Sequence, residues 1–352
     1  MIKYIKSSVV IMVIGFLCAM DFQWLQSGAA AHILSAGFTA LILAVLEISL
    51  SFDNAVVNAT IIKKMDVVWK RRFLTWGILT AVFGMRLFFP LLIVAIVAQM
   101  NPIDAFILSM NEPARYAEIM ISSHLTVSAF GGMFLLMVFL NFFMDKDKSK
   151  HWILAIEKPL AALAKIKWLD RILPFLVLLL MTWFISPENR VHFFVPGLWG
   201  IVIYLVVHGF SLWLESMEQD MLKKVPQKQG WLSAGLGLFL YLEILDASFS
   251  FDGVIGAFAI TQSLIQIMIG LSIGAFFVRS ITLYLVEKET LSHIRFLEHG
   301  AFYALGALAL MMLLDYFFHF PEWVTGLTGA IILGASILWS IYVDRYERAR
   351  QN

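Results

Sequence analysis

The sequence predicts an all-α polytopic membrane protein with about nine or ten transmembrane helices and an inverted-topology internal repeat. Three observations predict this fold class: an apolar composition, basic residues confined to alternate loops, and an acidic motif that occurs twice. Of the 352 residues, 60% are hydrophobic and 14% are charged, whereas a soluble globular protein carries roughly one-quarter charged residues. The charges are too few to cover a water-facing surface. The composition therefore excludes a soluble enzyme, a disordered chain and a nucleic-acid binder that relies on a basic face.

Apolar segments of membrane-spanning length occupy most of the chain. A helix needs about 20 apolar residues to cross the hydrocarbon core of a bilayer. Breaks at charge clusters and at Pro, Gly and Asn give ten candidate spans, approximately 4–20, 32–62, 73–99, 124–144, 172–186, 195–214, 231–260, 264–286, 300–318 and 323–343. The first span has the length of a cleavable signal peptide, but we expect it to be retained because the repeat needs five helices in each half. We interpret residues 1–352 as one integral membrane domain.

The distribution of Lys and Arg predicts the orientation of these spans. An N-terminus in the cytoplasm places 22 of the 26 basic residues on the cytoplasmic side, and leaves only Arg115 and Arg190 on the other side. The cytoplasmic segments are then 1–6, 63–72, 145–171, 215–230, 287–298 and 344–352. Because basic residues accumulate in cytoplasmic loops, we expect a multi-pass protein of the inner (cytoplasmic) membrane with both termini in the cytoplasm.

An internal repeat relates the two halves of the chain. Residues 43–58 read LAVLEISLSFDNAVVN and residues 242–257 read LEILDASFSFDGVIGA, and each copy is followed by a segment with Gly and Arg nine residues apart. Five helices, an odd number, separate the copies, so the second copy runs antiparallel to the first. The predicted halves are 28–145 and 228–345. Inverted repeats of this kind are typical of secondary transporters, whose substrate sites lie at the repeat interface near the membrane midplane.

Four carboxylates occupy matched positions in the two copies. Glu47 aligns with Asp246, and Asp53 aligns with Asp252. A carboxylate at the bilayer centre costs about 3 kcal/mol on insertion scales, and intramembrane ionisable residues are functional by default. We therefore interpret the four acids as candidate ligands, although buried acids that only hold helices together through Arg86 and Arg279 are the structural alternative.

The spacing of polar residues predicts which side chains share a helix face. At about 100° per residue, one stripe of the first copy contains Glu47, Ser51, Asn54 and Asn58, and the matching stripe contains Asp246, Ser250, Gly253 and Ala257. The second acid of each copy lies about 120° away in a straight helix. Either each helix lines two walls of a cavity or it unwinds locally. Gly253 and Gly256 favour unwinding in the second copy, and the first copy has no glycine nearby.

The formal charge of this set predicts the class of ligand. Four carboxylates and two intramembrane guanidinium groups, those of Arg86 and Arg279, leave −2, which balances one divalent cation. Glu243, one turn before Asp246, would add a further negative charge. The donors are carboxylate, amide and hydroxyl oxygens, which suit hard cations such as Mn²⁺, Mg²⁺ and Ca²⁺. Protons are a candidate coupling ion, because buried carboxylates can exchange a proton for a metal.

Both copies carry motifs that resemble a known family. Residues 47–54, with the pattern Glu-x-x-Leu-Ser-x-Asp-Asn, resemble the first signature of the TerC-like integral membrane proteins, named for tellurium resistance. Residues 246–252 and 257–261 resemble the second signature, although Asp252 is followed by Gly-Val-Ile-Gly where the family usually has Ser-Ile-Pro-Ala. The chain is most similar to a branch catalogued as a domain of unknown function. The resemblance implies a fold related to the lysine-exporter superfamily and Mn²⁺ efflux.

The resemblance also implies a set of site residues. The metal ligands it implies are Glu47, Asp53, Asn54, Asp246 and Asp252, with Ser51, Ser250, Arg86 and Arg279 in supporting roles. The sequence thus predicts a transporter that exports a divalent cation, with Mn²⁺ first among the candidates, rather than an enzyme. Its expected partners are the lipid bilayer and the transported ion, with no resident cofactor and no nucleic acid. Two alternatives stay open: a non-transporting membrane subunit of a stress-response or secretion complex, and an intramembrane acid–base hydrolase.

Overall fold

The computed structural model describes residues 2–27, 30–77, 80–145, 148, 150–166, 169–224, 234–287 and 294–351, and these residues contain α-helices, π-helical segments and no β-strand. The first helices are α1 (Ile2–Ser27), α2 (Ala30–Leu50), α3 (Phe52–Lys63) and α4 (Val67–Arg72), followed by the π-helical segments Phe73–Gly77 and Thr80–Phe88. Then come α5 (Phe89–Val97), α6 (Pro102–Asn111), α7 (Pro113–Ser122), α8 (His124–Phe143), α9 (Leu154–Leu163) and α10 (Leu169–Phe184). The remaining helices are α11 (Arg190–Lys224), α12 (Ala234–Ile260), α13 (Leu264–Glu287), α14 (Leu297–Phe318) and α15 (Glu322–Gln351).

Several of these helices have the length and apolarity of membrane spans. Within the described residues, α8, α13, α14 and the apolar parts of α11 and α15 are long enough to cross a bilayer, and two bent helix pairs raise the number from five to seven. The predicted all-α polytopic membrane protein is therefore confirmed. The more detailed count of nine or ten spans stays a prediction, as do the repeat halves 28–145 and 228–345.

The first acidic helix is broken, and the second is continuous. The axes of α2 and α3 differ by 53° at Ser51, whereas α12 runs unbroken from Ala234 to Ile260. The preference for unwinding in the second copy is therefore wrong. At Ser51 the backbone leaves the helical region, with φ −104° and ψ 13°, and the hydroxyl donates to the Glu47 carboxylate at 2.7 Å. A serine that hydrogen-bonds locally competes with regular helix geometry, so a helix can break without glycine.

Gly253 does not unwind its helix, as the sequence predicts, but has a packing role. A Cβ atom at this position would lie 3.3 Å from Glu47 Oε2, which is tighter than ordinary packing. The missing side chain lets α12 approach the acidic end of α2 closely. Gly253 thus brings the two acidic helices together and leaves α12 intact.

Close packing of α13 on α2 positions the same region from the other side. A Cβ atom at Gly274 would lie 2.5 Å from Glu47 Cβ and 2.7 Å from the Ala44 carbonyl oxygen. Small residues at a helix crossing let two backbones come together in a membrane, where dispersion forces replace the hydrophobic effect. The helix of the first copy therefore packs directly against a helix from the second half of the chain.

A buried carboxylate fixes the segment between α8 and α10. Glu157 is fully buried and accepts hydrogen bonds from the Lys148 ammonium at 3.1 Å, from His151 Nδ1 at 2.9 Å and from the Tyr303 hydroxyl on α14 at 3.2 Å. It also accepts from the backbone N–H groups of Trp152 and Ile153. Burial by itself raises the pKa of Glu157, but these donors outweigh it and lower the pKa from 4.5 to about 2. The carboxylate thus anchors this segment to α14.

We expect Glu157→Gln to lower the free energy of unfolding by about 2 kcal/mol at neutral pH, because donors that face an anion would face an amide. A carboxylate with a lowered pKa stabilises the fold above its unfolded-state pKa. That contribution is lost as pH falls from about 4.5 through about 2, so the difference between variant and wild type should shrink near pH 3. Thermal unfolding in detergent at both pH values checks this, with the exposed Glu215→Gln as control. A difference independent of pH would contradict it.

Candidate functional site

A buried cavity lies where α2, α3 and the second π-helical segment meet α12 and α13. Its volume is about 60 Å³. A buried water needs roughly 10–15 Å³ by the same measure, so the cavity has room for a few waters or a partly hydrated ion. The lining residues are Glu47, Ser51, Asn54, Asn58, Phe73, Gly77, Val82, Arg86, Glu243, Asp246, Ala275, Val278, Arg279 and Thr282. Polar and ionisable side chains from both copies of the repeat therefore share one small space.

The first copy contributes a buried ion pair. Arg86 Nη2 donates to Glu47 Oε1 at 2.5 Å, and the exposed fractions of these side chains are 3% and 2%. The Ser51 hydroxyl donates to the same oxygen at 2.7 Å. Arg86 lies on a π-helical segment, which changes the direction of its side chain relative to a regular α-helix and is a feature frequent at functional sites. The arrangement leaves the second Glu47 oxygen, Oε2, directed towards Gly253 on α12.

The second copy contributes Asp246, which is held by amides from the first copy. Asn54 Nδ2 donates to Asp246 Oδ1 at 2.5 Å. Asn58, one turn further along α3, also donates its side-chain amide to the Asp246 carboxylate. Because both amide nitrogens are directed at one carboxylate, their carbonyl oxygens are directed elsewhere.

Three buried oxygen atoms on the cavity wall accept no hydrogen bond from any described residue. They are Asn54 Oδ1, Asn58 Oδ1 and Glu243 Oε1. Asn54 and Asn58 are only 3% and 7% exposed. A buried acceptor without a donor costs about 1–3 kcal/mol, so such atoms require an explanation in a folded protein. Carboxylate and amide oxygen atoms are the ligand type that hard cations favour, and here they come from two different chain segments.

The formal charge of the residues that line the cavity differs from the −2 that the sequence predicts. Glu47, Glu243 and Asp246 line it together with Arg86 and Arg279, which gives a formal charge of −1 at full ionisation. Buried Asp53, next to Asn54 in the chain, raises this to −2 for the immediate surroundings. The described residues contain no group of three or more His, Cys, Asp or Glu side chains placed to hold a metal. A cation here would need amide oxygens and water beside its carboxylate ligands.

The predicted site residues do not all meet in this cavity. Glu47, Ser51, Asn54, Asp246, Arg86 and Arg279 line it. Asp53 is buried but lies against α15, where a Cβ atom at Gly329 would be 3.1 Å from Asp53 Oδ2. Ser250 is buried and its hydroxyl has no partner among the described residues, yet it is absent from the cavity wall. The side chain of Asp252 lies outside the described part of the structure.

The structure adds residues that the motif match omitted. Asn58 lies on the polar stripe that begins at Glu47, so its helical spacing was the feature of the sequence that could have identified it as a site residue. Glu243 lies one turn before Asp246, and Thr282 lies three residues after Arg279, on the same face of α13. His208, a lone histidine within a span, stacks on Tyr204 with ring centroids 5.4 Å apart and is not part of the cavity wall.

Comparison with known proteins supports the assignment of the chain as a membrane protein. No solved structure matches the chain. The uncharacterized membrane protein YceF of Bacillus subtilis (strain 168) is 29% identical over 116 residues, which are 31% of this chain and 42% of that protein. The chain thus matches less than half the length of this relative. The family described as "Protein of unknown function (DUF475)" matches residues 52–347, which include most of the cavity residues. The expected relationship to TerC-like proteins stays a prediction, and the chain belongs to the DUF475 family of proteins of unknown function.

Proposed function

We propose that this protein is an inner-membrane transporter that exports a divalent metal cation, with Mn²⁺ as its physiological substrate. The observation that carries the proposal is the set of three buried oxygen atoms without donors, which face a cavity shared with Glu47 and Asp246. A cation bound in this cavity would offer these buried acceptors a partner that the described residues do not supply. Protein groups arranged in this way bind a cation without first breaking hydrogen bonds among themselves.

The chemistry of the donors supports a hard divalent ion. All candidate ligands are oxygen atoms, and no imidazole or thiolate of a described residue lines the cavity. Zn²⁺ and Cu⁺ favour nitrogen and sulfur ligands, whereas Mn²⁺, Mg²⁺ and Ca²⁺ favour oxygen. Mg²⁺ gives up its water reluctantly and requires near-octahedral geometry, so a small cavity with mixed amide and carboxylate donors favours Mn²⁺ over Mg²⁺.

The break in the first acidic helix supports transport rather than permanent binding. Substrate sites of transporters with inverted repeats are typically formed by discontinuous helices near the membrane midplane. Here the break at Ser51 lies between Glu47 and Asn54, which are two of the candidate ligands. A hinge at this position would change the distance between Glu47 and Asn54 as the two repeat halves move relative to each other. The site would thus alternate between a state that binds the cation tightly and one that binds it weakly.

The proposed direction follows from the charge distribution of the loops. With the basic segments in the cytoplasm, Arg71 and Arg72 of α4 lie on the cytoplasmic side, and Phe73 of the cavity wall follows them directly in the chain. An ion would enter from this side, bind between α3 and α12, and leave on the opposite side. Protons moving inward would supply the driving force.

Flux measurements in proteoliposomes test the proposal. We expect the purified protein to move Mn²⁺ across the bilayer, with a weaker response to Zn²⁺, no response to Cu⁺ and little inhibition by excess Mg²⁺. Protein-free liposomes of the same lipid are the control. No metal-dependent flux under any ion or proton gradient would contradict the proposal and favour a non-transporting subunit.

A further inference from the structure

A second, larger cavity opens at the end of α8 and α14 that lies away from Glu157. Its volume is about 580 Å³, and its wall comes from α7, α8, α12, α14 and residues 319–321. We call it the outer cavity, and its polar residues are Ser122, His124, Ser128, Asp315, Tyr316 and His319. The site proposed above uses none of these residues.

A histidine–carboxylate pair forms the polar centre of the outer cavity. His124 Nδ1 lies 3.1 Å from Asp315 Oδ2, and the exposed fractions of these side chains are 31% and 15%. The backbone N–H of Phe320 donates to the other Asp315 oxygen at 3.0 Å, which fixes the carboxylate. The pair is therefore held in one geometry and open to the cavity, as exchange of a proton with water requires.

Together with Ser128, the His124–Asp315 pair resembles the Ser–His–Asp arrangement of a serine hydrolase. The Ser128 Oγ atom lies 3.4 Å from His124 Nε2. Two observations argue against that use. An activated nucleophile lies about 2.6–3.2 Å from its base, and Ser128 is only 2% exposed, so a substrate carbonyl could not reach its hydroxyl. Ser128 is better placed to orient the imidazole ring or to pass a proton inward.

The outer cavity reaches close to the cation cavity through α15. Thr325 lines a smaller adjoining cavity together with His124 and Asp315. One turn further along α15, Gly329 lies against Asp53, whose neighbour in the chain is the cation ligand Asn54. The absence of a side chain at Gly329 permits this approach. Contacts along α15 thus connect the wall of the outer cavity to Asp53, the chain neighbour of Asn54.

We propose that His124 and Asp315 form the outer proton-loading site of the transporter, where a proton from the external side binds before it is exchanged for the exported cation. This inference rests on the proposed function. Imidazole is the side chain suited to bind and release a proton near neutral pH, and Asp, Glu and His chains form proton relays in transporters.

The surroundings of the pair contain few other titratable groups. From α14, Tyr316 faces the outer cavity and donates its hydroxyl to Ser186 at 3.0 Å. His319 follows α14 on the cavity wall, while the wall residues from α7, α12 and α15 are not titratable. The titratable groups on the described wall of this cavity are therefore the His124–Asp315 pair, Tyr316 and His319, and variants can separate the pair from His319.

The test compares two kinds of flux in proteoliposomes. Exchange of Mn²⁺ for labelled Mn²⁺ at equal pH needs only the cation site, whereas net export against a Mn²⁺ gradient needs proton loading. We expect His124→Gln and Asp315→Asn to keep exchange within about twofold and to lose at least about tenfold in net export driven by a pH gradient. His319→Gln and the exposed His192→Gln are the controls, and both should keep the wild-type response to external pH.

The outcomes separate this inference from the proposed function. If both variants keep the wild-type dependence of export on external pH, the proton-loading site is wrong while the cation site stands. If wild-type protein shows no Mn²⁺ exchange, the proposed function fails and this inference fails with it. Covalent labelling of Ser128 by a fluorophosphonate probe, lost in His124→Gln, would overturn the inference in favour of acyl transfer. Variants that retain exchange have folded, so loss of export cannot be ascribed to misfolding.

Discussion

Replacing Asp246 by Asn is expected to reduce Mn²⁺ flux by at least about 100-fold. The proposed function makes this carboxylate of the cavity wall a charged metal ligand, and loss of even an outer-shell partner costs about 10–100-fold at metal sites. The substitution keeps the volume of the side chain and one carbonyl oxygen. Asn54 can still donate to that oxygen, as it does to Asp246 Oδ1 at 2.5 Å in the wild-type protein. The helices should therefore stay packed while binding is lost.

The control for this variant is Asp21→Asn, which removes an exposed carboxylate from α1. Flux assays and calorimetry with Mn²⁺ on detergent-purified protein should agree, since a lost ligand weakens binding as well as transport. Wild-type flux in Asp246→Asn would remove the cation cavity from the mechanism. It would also favour the alternative of a non-transporting membrane subunit.

Replacing Arg86 by Gln is expected to lower the free energy of unfolding by about 3–5 kcal/mol, because it leaves the Glu47 carboxylate buried without its cationic partner. The two side chains are almost fully buried and lie 2.5 Å apart. The double variant Glu47→Gln with Arg86→Gln should recover most of this loss, since removing both charges removes the uncompensated one. Thermal unfolding in detergent measures the difference.

The double variant also separates stability from function. It should fold well but transport poorly, because the proposed function uses the Glu47 carboxylate as a ligand. Equal stability of the single and double variants would show that Arg86 acts through another contact. Wild-type transport by the double variant would show that the ion pair is purely structural, which is the interpretation that the sequence left open for the buried acids.

The sequence by itself determined the fold class and much of the candidate site. A hydrophobic content of 60% excludes a soluble fold, because so few charges cannot hydrate a surface. Helical periodicity placed Glu47, Ser51, Asn54 and Asn58 on one stripe, and all four line one cavity in the structure. Regular rotation per residue explains why Asn54 and Asn58 share one face of α3, but it did not predict the 53° bend that separates them from Glu47 on α2.

Only the tertiary structure decided how the two copies differ. Symmetry of the motif gave no reason to separate Asp53 from Asp246, yet Asp53 lies against Gly329 while Asp246 lines the cavity. Glycine content favoured a break in α12, but the break lies at Ser51, where a hydroxyl bonded to Glu47 replaces regular helix geometry. The contact of Asp53 with Gly329 depends on a neighbouring helix, whereas the break at Ser51 accompanies a local side-chain hydrogen bond that glycine content does not reveal.

The outer cavity is a further feature that only the tertiary structure reveals. His124 and Asp315 are 191 positions apart, and each alone has the pattern of a solvated residue near the end of a span. The packing of α14 on α8 brings His124 Nδ1 within 3.1 Å of Asp315 Oδ2. Periodicity and spacing describe one helix at a time, so they cannot reveal a pair that exists only because two helix ends meet. The regular rotation of a helix is encoded locally, whereas the approach of two helices depends on every side chain between them.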